Sequence, residues 1–276
     1  MIVNSKELLQ NAKSGKYCIL APDYVDLDSA KTFVNTAEKA GKPIILSFAQ
    51  VLNDVIALDE AAAVGRFVAE RASIPVVLHL DHGEDIDYIK KAVESGFTSV
   101  MIDASMKSFE ENVRETKEIV EFSHSRGVTV EAEIGHVGRG ENYTDYQNSD
   151  SVYTEVEEAV EFWNRTGVDS LAVSIGTAHG IYKGMEKPAL NYERLHQLAD
   201  ALPIPLVLHG GSGSGDENLY RCACEGITKI NIFTDFLLGA MEKINEEKPG
   251  DYLSLKKAAN QGMAQILEHY FNVFYR

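Results

Sequence analysis

IPVVLHLDH (74–82) and IPLVLHGGS (204–212) are nearly the same phrase written twice in one chain. Each opens at a proline, which cannot continue a helix, runs through three apolar residues, and turns polar at a histidine. GFTSVMIDA (96–104) and GVDSLAVSI (167–175) make a second such pair. Recurrence of one short pattern points to a fold assembled from repeated supersecondary units.

Working outward, eight short β-rich runs follow one another: CILAP (18–22), PIILSF (43–48), PVVLHLD (75–81), SVMIDA (99–104), TVEAEI (129–134), SLAVSIG (170–176), PLVLHG (205–210) and TKINIFT (228–234). Segments with helical periodicity lie between them, among them SAKTFVNTAEKAG (29–41), DIDYIKKAVESG (85–96) and ENVRETKEIVEFSHSRG (111–127). Gly41, Gly96, Gly127, Gly167 and Gly226 stand where a helix ends in a left-handed residue before the next strand. Near-continuous apolar strands suit a parallel sheet covered on both faces. Eight βα units on 276 residues predict an α/β fold, a single-domain (β/α)8 TIM barrel over 1–276, with a helical segment at about 236–276. A doubly wound open sheet is the competing arrangement, weakened because no GxGxxG follows the first strand. Both folds put function at the C-terminal ends of the strands.

The formal charge of −16 and the absence of a Lys/Arg-rich run argue against nucleic acid or an anionic membrane as partner. The N-terminal MIVNSKELLQNAKSGKY has no basic start followed by an apolar core, and no stretch approaches about 18 uninterrupted apolar residues, so a cytoplasmic location is expected. Cys18, Cys222 and Cys224 read as reduced thiols.

The strand ends gather His79, Asp81 and His82, then Asp103 and Ser105, Glu131 and Glu133, His179, His209, and Asn231, Thr234 and Asp235. One histidine at a strand end is usually a hydrogen-bonded core group. Three from separate strands, His82, His179 and His209, can form three sides of a tetrahedral site whose fourth position stays open, as in catalytic zinc. His124, His136, His196 and His269 lie apart from this set. HGGSGSG (209–215) follows the seventh strand, where this fold often binds phosphate, and HGIYKG (179–184) adds Gly180 and the cation of Lys183. The long segment 135–153 ends at Thr154, with Glu157 three residues on, which predicts a capping box. Its Glu141 is placed to reach the site if the loop acts as a lid. Alternation puts His79 and Asp81 on one face and leaves His82 at the turn, while Glu84 and Asp85 suit a helix start.

LHLDHG, MIDAS, VEAEIGHVGRGE, IGTAHGIYKG, LVLHGGSGSGDE and KINIFTD, in this order, resemble the class II, metal-dependent ketose-bisphosphate aldolases, from about Lys6 to Ile266. The resemblance implies a lyase that carries out reversible retro-aldol cleavage of a ketose 1-phosphate or bisphosphate to dihydroxyacetone phosphate and an aldehyde. It makes His82, His179 and His209 ligands of Zn2+ or another divalent ion, with Glu133 and Asp103 lining an alternative metal position. Asp81 matches the acid that exchanges the C4 hydroxyl proton, and Glu141 the glutamate that moves the proton on the dihydroxyacetone-phosphate carbon. Gly180, Lys183, Gly210, Gly211, Ser212, Asn231 and Thr234 match positions holding the C1 phosphate and ketone end, beside which a monovalent cation (Na+ or K+) sits. A homodimer or homotetramer is implied as well.

Four positions depart from the family pattern. Asp23 stands for a usual asparagine, Ala49 for a serine, Phe233 for a common aspartate, and Gly250 for the arginine donated to the distal phosphate. A bidentate guanidinium contact has no replacement in glycine. These positions predict a substrate whose far end is uncharged or carries another polar group, unless Lys256, Lys257 or Arg276 supplies a cation. A sugar-phosphate isomerase or epimerase would share the metal and phosphate sites without needing Glu141. A catalytically silent phosphosugar-binding protein would not need Asp81 either.

Overall fold

The computed structural model describes residues 1–135, 153–180 and 187–276, and the backbone of 138–139. Its main strands are β1 (Ile19–Pro22), β2 (Ile44–Ala49), β3 (Val76–Gly83), β4 (Ser99–Ile102), β5 (Thr129–Ile134), β6 (Ser170–Val173), β7 (Leu206–Leu208) and β8 (Ile227–Ile232). Each pairs in parallel with the next from β2 through β8, and β8 pairs with β1. A parallel bridge between Asp23 and Ser47, with the Tyr24 N–H donating to the Ser47 carbonyl at 2.9 Å, joins β1 to β2. The ring is therefore closed, and the open doubly wound sheet is ruled out.

Helices α1 (Lys6–Gly15), α2 (Leu27–Ala40), α3 (Leu58–Ala69), α4 (Ile86–Ser95), α5 (Phe109–His124), α6 (Val156–Thr166), α7 (Tyr192–Ala201) and α8 (Asp216–Glu225) alternate with the strands, and α9 (Thr234–Glu247) and α10 (Tyr252–Phe274) follow β8. Their starts are set locally. Asp26, Asp85, Asn191 and Asp251 accept from the N–H groups of Ser29, Tyr88, Arg194 and Ser254 at 2.7, 2.7, 3.0 and 3.0 Å, each cap contributing about 1 kcal/mol. The capping box expected at Thr154 is absent. Glu155 is the N-cap of α6, and the Thr154 hydroxyl instead bonds the Ile134 carbonyl and the Ser174 N–H, tying β5 to β6. α9 and α10 meet backbone to backbone, since a Cβ on Gly262 would run into the Gly239 carbonyl.

Strand alternation divides the barrel into two cores. Leu46, Leu78, Leu80, Val100, Val130, Leu171, Leu208 and Ile230 join the core shared with the surrounding helices. Inside, Ile19, Ala21, Ile45 and Val77 pack with Leu9 and Ala12 of α1, which closes the N-terminal end. Above this apolar plug the lumen is polar: Ser47, His79, Ser99, Glu131, Ser170 and Lys229 are all buried. Barrel interiors are usually filled by branched aliphatic residues, so this charged layer needs a reason beyond packing.

Candidate active site

The lumen layer is one hydrogen-bonded chain that joins the neighbours β3 and β4 and crosses the barrel between β3, β5 and β8. His79 Nδ1 lies 2.9 Å from Ser99 Oγ, and its Nε2 lies 3.1 Å from Lys229 Nζ. Lys229 donates to Glu131 Oε1 at 2.7 Å, and the same oxygen is 3.1 Å from His209 Nε2. Burial, and next the charge of Lys229, hold the His79 imidazole well below its ordinary pKa. His79 is thus a neutral supporting group, as its place in the strand predicts.

His82, His179 and His209 converge above this layer, with ligand nitrogens within 4.8 Å of one another. The route by which His82 arrives differs from expectation. It lies inside β3, not at a turn after it, with φ of +44° at a register irregularity between Leu80 and Gly83. Such a bulge re-aims a side chain, and here it brings Asp81 and His82, successive residues, to one cavity. A left-handed non-glycine residue costs about 1–2 kcal/mol, which the surrounding contacts must offset.

The outer atoms of two of these imidazoles are already fixed. Asp103 Oδ2 accepts from His82 Nδ1 at 2.7 Å, and Glu131 accepts from His209 Nε2, so His82 Nε2 and His209 Nδ1 face each other at 2.9 Å. Burial opposes a charge on His82, but the Asp81 carboxylate, the Asp103 hydrogen bond and Glu133 outweigh it and push its pKa up to about 10. Burial, then the charge of His82, hold His209 well below its usual value. The pocket favours one positive charge at the point where the nitrogens meet. Two nitrogens on a tetrahedral zinc, each about 2.0–2.1 Å from it, lie roughly 3.3 Å apart; 2.9 Å needs little adjustment, so the donor set fits a divalent ion. His82, Asp103 and Glu133 form a second cluster of the same spacing.

Asp81 is buried beside the histidines, and Asn231 Nδ2 donates to its Oδ1 at 2.8 Å. Burial would raise its pKa, but His82, His209 and Lys229 together lower it, so Asp81 is ionised. Asp23 lines the same cavity and is pushed well above the usual carboxylate range by burial and then by Asp81. Two carboxyls whose environments drive them apart are how one site holds a base and an acid together. Asp23 Oδ1 and Asn231 Oδ1 are buried without a hydrogen-bond partner among the described residues.

Gly180, Gly210, Gly211, Ser212, Phe233 and Thr234 line the same cavity. Gly210 has φ of +65°, and a Cβ there would lie 2.5 Å from the Ala178 carbonyl oxygen. The loop is less open than its sequence implies: the Gly211 N–H donates to the Asn231 carbonyl at 3.1 Å, and that of Gly213 to Asp235 at 3.1 Å. Gly211 is needed for close packing, since a Cβ would meet Ile230 at 2.6 Å and Asn231 O at 2.8 Å. Ser212 Oγ faces the N–H groups of Phe233 and Asp235, which anchors the loop to the start of α9.

Asp81, His82, Asp103, Glu133, His179, Gly180, His209, Gly210, Gly211, Ser212, Asn231 and Thr234 thus gather at the C-terminal rim, whereas Glu141 and Lys183 lie outside the described residues. His124, His196 and His269 pair with Asp169, Glu225 and Asp216 on the outside. Sequence reasoning missed Lys229. The signal was present in TKINI, where Lys229 shares the inward face with Asn231, two residues on.

The family model for class II fructose-bisphosphate aldolase matches residues 3–276. The crystal structure of the YdjI aldolase from Escherichia coli K12 superposes with a TM-score of 0.89 at 33% identity, covering 99% of this chain and 97% of that one. A fructose-bisphosphate aldolase of Geobacillus stearothermophilus is 38% identical over 256 residues, 89% of this chain and 85% of the relative. The D-tagatose-1,6-bisphosphate aldolase subunit GatY of Klebsiella oxytoca is 35% identical over 276 residues, 97% of this chain and 96% of the relative. With these matches over the full barrel, the chain belongs to the class II fructose-bisphosphate aldolase family.

Proposed function

We propose that this aldolase cleaves ketose 1-phosphates whose far end carries no phosphate, releasing dihydroxyacetone phosphate and a neutral or polar aldehyde. The observation that carries this reading is the asymmetry of the cavity around Asp81. Gly180, Gly210, Gly211 and Ser212 line it after β6 and β7, while Asp23, Ala49 and Val51 line it after β1 and at the end of β2. Among the described residues lining it, none is a lysine or arginine. Two of the cations that might have replaced an arginine at Gly250 are engaged elsewhere: Lys256 with Asp28, and Arg276 over the Tyr220 ring at 5.2 Å.

The family is divalent-metal dependent, and His82, His179 and His209 would hold the ion here, zinc being the choice that suits three imidazoles. When bound, it supplies a Lewis acid for the ketone and hydroxyl oxygens. The protein's own groups do the rest. Asp81, ionised and held by Asn231, accepts the C4 hydroxyl proton; the C4 carbonyl forms, the C3–C4 bond breaks, and its electron pair stays on C3. Glu141 is proposed to return a proton to C3. The unpartnered oxygens of Asp23 and Asn231 offer hydrogen-bond sites to substrate hydroxyls.

The test is a panel of ketose 1-phosphates and 1,6-bisphosphates, assayed for triose phosphate with and without chelator, for wild type and Gly250→Arg. Monophosphates should be preferred by wild type and activity should vanish with chelator. Equally efficient bisphosphate cleavage by wild type would sink the substrate assignment.

A further inference from the structure

The lumen holds a lysine that the proton transfers above do not use. Lys229 is 1% exposed, yet its ammonium reaches across the barrel from β8 to Glu131 on β5 at 2.7 Å and to His79 on β3 at 3.1 Å. A buried ion pair is weak as a source of stability, because desolvating both charges offsets much of their attraction. Its geometry matters more. One oxygen, Glu131 Oε1, receives both the Lys229 ammonium and His209 Nε2, at 2.7 and 3.1 Å.

We infer that Lys229 is a positioning residue for the metal centre: it pins Glu131 against His209, so that His209 keeps its proton on Nε2 and presents Nδ1 to the ion. The inference rests on the reading of His82, His179 and His209 as ligands. A carboxylate behind a ligating imidazole fixes its tautomer and ring orientation and raises its basicity. Asp103 fills that place behind His82 from the half-open rim, whereas Glu131 stands behind His209 in the buried lumen, where an uncompensated carboxylate would be costly. Lys229 supplies the compensating charge from β8, the strand paired with β7 that leads to His209, so one carboxylate oxygen is held by two fixed donors. His79, held by Ser99 at 2.9 Å and neutral, limits where the ammonium can sit.

The experiment measures zinc affinity by competition with a chromophoric chelator for wild type, Lys229→Met, Glu131→Gln, the double variant and His209→Ala, with melting curves of the metal-free proteins as the folding control. Lys229→Met and Glu131→Gln should each weaken zinc binding about 10–100-fold, and the double variant should be no weaker than the weaker single. Wild-type affinity in Lys229→Met, whatever its melting temperature, overturns the inference, as do single losses that multiply in the double variant. If Lys229→Met does not fold, the double variant, which buries no net charge, and the 15N spectrum of His209 in the metal-free wild type decide the matter: a proton on Nδ1 with Nε2 bare overturns it. Undiminished zinc binding by His209→Ala would instead sink the ligand assignment. Normal binding by Lys229→Met beside a His209→Ala that has lost zinc sinks the positioning role alone.

Discussion

The two walls of the rim cavity come from similar strand-loop units and differ in kind. After β7, glycines bring backbone close to the cavity, and Gly210 and Gly211 have no room for a side chain. Around the ends of β1 and β2 the wall is made by Asp23, Ala49 and the exposed Val51. Neither wall carries a lysine or arginine among the described residues. Asp81, His82 and His179 line the cavity with both, and the wall at Asp23, Ala49 and Val51 is the one proposed to select the substrate.

The largest effect should come from the middle of this arrangement. His209→Ala is expected to reduce activity to background and abolish zinc binding, and retention of chelator-sensitive turnover would remove the histidine from the ion. Asp81→Asn should lower kcat by about 10²–10⁴ while zinc affinity, read by chelator competition, stays within a few-fold. A large loss of zinc there would make Asp81 part of the metal site instead.

Zinc binding should also depend on pH. With the His82 pKa pushed up to about 10, the ion displaces a proton at any lower pH. Affinity should then rise about tenfold per pH unit from about pH 6 to 8 and level off as the pH passes the His82 value. A flat profile would mean that His82 is not a ligand.

The walls themselves give smaller effects. Gly211→Ala forces a Cβ against Ile230 and the Asn231 carbonyl, and should raise KM for phosphorylated substrates about tenfold and cost about 1–3 kcal/mol of stability. Asp23→Asn should act on the other wall alone. Once the pH is high enough to ionise Asp23, its carboxylate repels a distal phosphate, which an amide does not. In that pH range the ratio of bisphosphate to monophosphate kcat/KM should rise by a few-fold to about tenfold, the worth of about one like-charge contact; a ratio unchanged at every pH would show that the two walls do not divide the labour.

Much of this was legible in the chain because it depends on near neighbours. Asp85 caps α4 three residues before Tyr88, and Gly41, Gly96 and Gly167 end helices at positive φ. These follow from short-range sterics and hydrogen bonding, as do the apolar periods of the strands. The bulge in β3 was not legible. Histidine tolerates a left-handed backbone better than most side chains, but nothing in LDHG requires it at His82, and the conformation is held by contacts with Asp103 and His209, 21 and 127 residues away. Thr154 failed as a cap for the same kind of reason, because Ile134 and Ser174, each 20 residues off, compete successfully for its hydroxyl.

The sequence by itself determined the βα repeat, the rim on which polar residues collect, and the three histidines whose side chains suit a metal ion. These rest on local period and residue chemistry, which survive without coordinates. Tertiary structure decided that Asp81 is held below and Asp23 above the ordinary carboxylate pKa, and that Lys229 stands behind Glu131 and His209. Protonation and pairing depend on which charges closure of the barrel brings together, and Lys229 and Glu131 lie 98 residues apart in the chain. That distance is spanned only across the lumen.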